Sequence, residues 1–81
     1  MKKHNEYPKD FLVPIEGESY HLGRLTVNWG SDGFMVDIDI VSAESRKIFK
    51  SVKRLYGLAD EQEAKDQAMF ILSSFLRNGS I

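Results

Sequence analysis

Eighty-one residues make one domain, with no room for two. A formal net charge of −1 argues against a dedicated polyanion binder, and a chain without cysteine has neither a disulfide framework nor a thiolate metal site. Its 42% hydrophobic residues suffice for a modest core, of a size that rarely leaves more than about 3–5 kcal/mol of net stability, so a second copy would help.

Met1-Lys2-Lys3 is followed by no apolar run of signal-peptide length. Nothing in the chain approaches the ~20 apolar residues of a membrane span. A cytoplasmic protein with no membrane partner is expected.

Residues 1–10 are polar and include Pro8, which predicts a flexible arm ahead of a single domain over 11–81. Phe11-Leu12-Val13-Pro14-Ile15 admits two readings. It is a short extended piece on a sheet edge, where a proline without its N–H is tolerated, or an apolar linker that patches the core. Glu16-Gly17-Glu18-Ser19 reads as a turn.

Leu25, Val27 and Trp29, then Phe34, Val36, Ile38 and Ile40, fall on alternate positions around Gly30-Ser31-Asp32-Gly33. That period of two, broken by a glycine-flanked turn, predicts a β-hairpin. A loop over 30–33 sets Trp29 opposite Phe34 and Arg24 opposite Asp39. A tighter turn on Asp32-Gly33 shifts the pairing by two and leaves the facing unchanged. Tyr20 and Leu22 are out of phase with Leu25, so a bulge at Gly23 is expected within a strand over about 20–29.

Ser42-Ala43-Glu44-Ser45 predicts a second turn and Arg46–Val52 a third strand. Pairing Val41 with Arg46 would put Phe49 beside Ile38 on the core face and Lys50 beside Asp37 on the open one. A slip of one would bury a lysine. Residues 53–59 read as a connection whose Leu55, Tyr56 and Leu58 plug the end of the core.

Asp60, with Glu63 three residues on, is a capping-box-like start to a helix. Ala64, Ala68, Ile71, Leu72, Phe75 and Leu76 form its apolar face to about Arg77, and Gly79 suits the position just past its end. The expected architecture is therefore α+β, a two-layer β-β-β-α domain. Its three-stranded antiparallel sheet carries one C-terminal amphipathic helix on one face, and residues 11–15 can add a short N-terminal strand.

Gly33-Phe34-x-Val36 in the second strand, Phe49-x-Ser51 near the third, and D-E-Q-E-A-x-x-x-A over 60–68 resemble HicB-type antitoxin domains across residues 25–76. The layout is also similar to several small bacterial domains. The loop rich in Pro and Gly, with a Cys, that HicB-type proteins carry between strands is missing. No site residue is carried over.

Five positive residues, Arg46, Lys47, Lys50, Lys53 and Arg54, fall within nine positions with no acid among them, interleaved with Phe49 and followed by Tyr56. Such a strand can track a phosphate backbone, or can carry lysine only to block edge-to-edge pairing. Asp37 and Asp39 share the open face; they suit an acid/base pair or a divalent cation, or are solvated residues paired with Arg24 and Lys50. His4 and His21 have no Ser or Asp at motif spacing, and G-S-D-G is a turn without the P-loop lysine, so no catalytic, cofactor or metal site is read. Trp29, near the turn, is a core residue or a half-exposed anchor.

Met35, Val41, Ile48 and Val52 place apolar side chains among the charges of the open face. Arg24, Met35, Asp37, Asp39 and Lys50 are the candidate interaction surface. The leading expectation is a non-enzymatic protein-interaction module, homodimeric through that face or the edge beside it. Nucleic-acid binding through Arg46–Arg54 is the alternative.

Overall fold

The computed structural model describes residues 6–78. Four strands, β1 (Lys9–Pro14), β2 (His21–Gly30), β3 (Gly33–Ser42) and β4 (Ile48–Leu58), precede one helix, α1 (Glu61–Arg77). The strands pair antiparallel in the order β1-β2-β3-β4, so each hydrogen-bonds to its sequence neighbour. This is an α+β fold with one strand more than the three expected. The extra one is β1, the extended edge reading of residues 11–15.

β2 and β3 form the hairpin in the wider register: Trp29 lies opposite Phe34, Val27 opposite Val36, Leu25 opposite Ile38 and Arg24 opposite Asp39. Gly33 adopts φ +117°, and a Cβ there would lie 2.8 Å from the Leu58 carbonyl oxygen, so glycine alone fits where β4 passes the turn. Leu25, Val27, Val36, Ile38 and Ile40 are fully buried beneath Ala64, Ala68 and Leu72 of α1. The two alanines let the helix axis come close, and Ile71, Phe75 and Leu76 pack beside them. Trp29 is half-exposed at the sheet end, edge-on to Phe34 with ring centroids 5.0 Å apart.

The predicted bulge at Gly23 is absent. The β2 pairings with β1 and β3 run through it without a shift, and Gly23 takes the core-facing position in phase with Leu25. The mismatch is resolved otherwise: Tyr20 is left exposed and Leu22 turns to the uncovered face. An ideal Cβ on Gly23 would lie 2.6 Å from Leu72 Cδ2, so the missing side chain is what lets the helix settle there.

The third predicted strand needs the larger correction. Residues 43–47 form the loop, closed by Ser42 N–H to the Lys47 carbonyl at 2.9 Å, and Val41 faces Ile48 rather than Arg46. β4 then runs to Leu58, through the segment read as a connection. Three register shifts along it each give β4 one residue more than β3. These bulges turn the expected period of two into a period of three, in which Val52, Leu55 and Leu58 reach the core. Phe49, expected beside Ile38, is instead exposed, its ring tilted by 48° against His21 with centroids 4.4 Å apart; Tyr56, expected to plug the core, is exposed too.

Asp60 caps α1 as predicted, its carboxylate accepting from Glu63 N–H at 2.8 Å, while Glu63 accepts from Ala59 N–H at 3.2 Å. Of the expected arm, residues 1–5 lie outside the described residues, as do His4 and Gly79. Its remainder belongs to the packed structure: Lys9 and Asp10 open β1, and Tyr7 packs against the core. The Tyr7 hydroxyl donates to Glu61 Oε1 at 2.8 Å, and Lys9 Nζ approaches the same oxygen at 3.0 Å. Sequence proximity could not show this, because these groups are more than fifty residues apart.

Candidate functional site

The sheet face away from α1 carries the alternate side chains of the same strands. Apolar Leu12, Leu22, Met35 and Val41 lie on it, with Ile48 across from Val41. Between them runs a band of polar contacts. Thr26 Oγ1 donates to Asp10 Oδ1 at 2.8 Å; Arg24 Nη2 lies 3.9 Å from Asp39 Oδ2; Arg54 clasps Asp37 through Nε and, at 3.0 Å, through Nη2 to Oδ2. A groove of about 370 Å³ follows β4, lined by Asp37, Asp39, Ile48, Ser51, Lys53 and Arg54 among others.

Asp39 corrects the expectation of two solvated carboxylates. It is only 7% exposed, closed in by Arg24 on β2 and Ser51 on β4. Burial pushes its carboxyl up, against hydrogen bonding from Ser51 and the Arg24 charge, which pull it down. Arg24 Nε is itself buried without a hydrogen-bond partner. Val41, beside them, is completely buried.

Of the predicted interaction residues, Arg24, Met35 and Asp37 sit half-buried on this face. Lys50 does not join them. The bulged register sets it opposite Ile40 and gives Asp37 to Arg54, whose guanidinium the carboxylate holds firmly in the charged form.

All five cations of the stretch are exposed. Arg46 donates to the Ala43 carbonyl, and Arg54 is engaged by Asp37. Lys47, Lys50 and Lys53 form no ion pair among the described residues.

Two features escaped sequence reasoning. Glu18 accepts from the backbone N–H groups of Tyr20 and His21, both at 2.7 Å, and pairs with His21 Nδ1 at 2.9 Å; these bonds hold its carboxyl below the usual range. A second groove, about 450 Å³, opens between the end of β1 and the last turns of α1, lined by Val13, Ile15, Met69 and Leu76 with Glu16 and Arg77 at its rim. It joins residues some sixty positions apart and leaves no local signature.

The described residues hold no group of three His, Asp or Glu side chains placed to bind a metal ion, and no helix is long and apolar enough to cross a membrane. No protein-family model, curated protein or solved structure matches the chain.

Proposed function

We propose that this chain is a small non-enzymatic interaction module that pairs with a second copy of itself through the uncovered face of the sheet. The observation that carries the reading is the composition of that face: aliphatic Leu12, Leu22, Met35 and Ile48 surround cross-strand contacts of both charge signs. A face whose charges are balanced by its own cross-strand pairs can meet a copy of itself without net repulsion, as a two-fold interface requires. Four strands of this length present roughly 500 Å² per copy, so about 1,000 Å² together, near the lower bound for a specific interface.

Edge-to-edge pairing is the less favourable route. β1 is only six residues long and ends in Pro14, which has no N–H. β4 is broken by three register shifts and carries Lys50 and Lys53. Arg24 Nε, buried without a partner, also gains if an acceptor from the second copy reaches it.

Sedimentation across a concentration series tests the proposal. The natural chain dimerises and a Leu12→Glu, Ile48→Glu variant stays monomeric with an unchanged circular dichroism spectrum. A natural chain that sediments as a monomer at high concentration overturns it.

A further inference from the structure

The outer edge of β4 holds groups that pairing through the sheet face leaves unengaged. From Ser45 to Ala59 there is no acid. Most nearby carboxylates are engaged elsewhere: Asp37 by Arg54, buried Asp39 beside Arg24, Glu61 by Tyr7 and Lys9, and Asp60 and Glu63 in the helix cap; Glu44, just ahead of the stretch, is exposed and forms no ion pair with it among the described residues. Lys47, Lys50 and Lys53 are therefore exposed cations without an ion pair among the described residues.

Edge protection would account for the lysines alone. It does not account for two large rings beside them: Phe49 is 57% exposed and Tyr56 61%. Both stand at register shifts. Phe49 is the extra residue between Ile48, which faces Val41, and Lys50, which faces Ile40; Tyr56 lies in the shift between Leu55 and Leu58. Bulges re-aim side chains, and these two leave aromatic surface exposed about 20 Å apart along the strand, Phe49 with one side against His21 and Tyr56 with its hydroxyl beside Arg54.

We propose that this edge binds single-stranded nucleic acid, with phosphates on Lys47, Lys50 and Lys53 and unstacked bases on Phe49 and Tyr56. A duplex keeps its bases stacked on one another and offers the rings nothing. Stacking without a base-edge reader makes the binding tolerant of sequence. The inference does not require self-association, although Ile48 of the face proposed for it lies between Lys47 and Phe49 and Lys53 lines the groove beside it.

The test is fluorescence anisotropy of labelled oligothymidylate and oligouridylate, each about ten nucleotides long, against the full chain over a salt series. Three phosphate contacts give a log–log salt slope of about −2, roughly fifteen-fold weaker binding from 50 to 200 mM salt. Lys50→Glu with Lys53→Glu brings the slope to about −0.7 or nearer zero. Phe49→Leu weakens binding about five-fold or more with the slope retained, as loss of one stacked base would. Preference for one of the two oligomers shows whether DNA or RNA is the better ligand. The proposal is overturned if neither oligomer binds saturably at low salt, or if the double lysine variant binds as the natural chain does. It is also overturned if Phe49→Leu and Tyr56→Leu leave oligomer binding unchanged while phosphatidylserine vesicles bind through the same lysines, which would make the edge a membrane contact.

Discussion

Gly23 offers the sharpest test of how the helix meets the sheet. An alanine inside a strand ordinarily improves on glycine by about 0.5–1 kcal/mol. Here the added methyl would lie 2.6 Å from Leu72 Cδ2 and 3.5 Å from Val13 Cβ. Leu72 is 1% exposed and cannot swing into solvent, so the core must repack at about 1–3 kcal/mol. The two terms net to a loss of roughly 0.5–2 kcal/mol for Gly23→Ala. Leu72→Val removes one methylene, at about 1 kcal/mol alone, and with it the atom that the new methyl would strike. The double variant should then be no less stable than Leu72→Val, a coupling of about 1–3 kcal/mol. Urea unfolding of the four proteins, read from midpoints at unchanged m-value, measures it. A Gly23→Ala variant as stable as the natural chain, or losses that simply add, would show that α1 does not bear on β2 at this point.

Asp60→Ala removes the carboxylate that accepts from Glu63 N–H and should cost about 1 kcal/mol, read by thermal unfolding. Arg54→Ala breaks an exposed, solvent-screened pair with Asp37, so the unfolding midpoint in the same assay should barely move. Carboxyl titration by NMR should place Glu61 and Glu18 below the ordinary carboxylate range, Glu61 because Tyr7 and Lys9 bond its charged form and Glu18 because His21 does. Asp39 should lie above that range. The signs differ accordingly. Stability from Glu61 and Glu18 is present above their unfolded values and lost as pH falls through the folded ones. Asp39, raised by burial, stabilises as pH falls through its folded value, because the folded chain then holds the proton more tightly. A common titration midpoint for all three would refute the environments assigned to them.

The local pattern determined much of this protein. Alternating Leu25, Val27, Val36, Ile38 and Ile40 around a glycine-flanked turn left one hairpin and one facing, since either register buries the same residues. Asp60, Glu63 and the apolar residues at three and four placed the helix to within its caps, because capping and amphipathicity act within a few residues. What depended on distant neighbours was decided only by the tertiary structure. Gly23 reads as a bulge until Leu72, nearly fifty residues away, is seen against it. Val52 reads as an open-face residue, and Leu55 and Leu58 as a connection rather than strand, because bulges, set by the fit of β4 to β3, replace the period of two with one of three. Asp39 reads as solvated until Arg24 and Ser51 close around it. Periodicity reports which side of an element is apolar; register, close approach and desolvation are properties of pairs of elements, which no single stretch of chain contains.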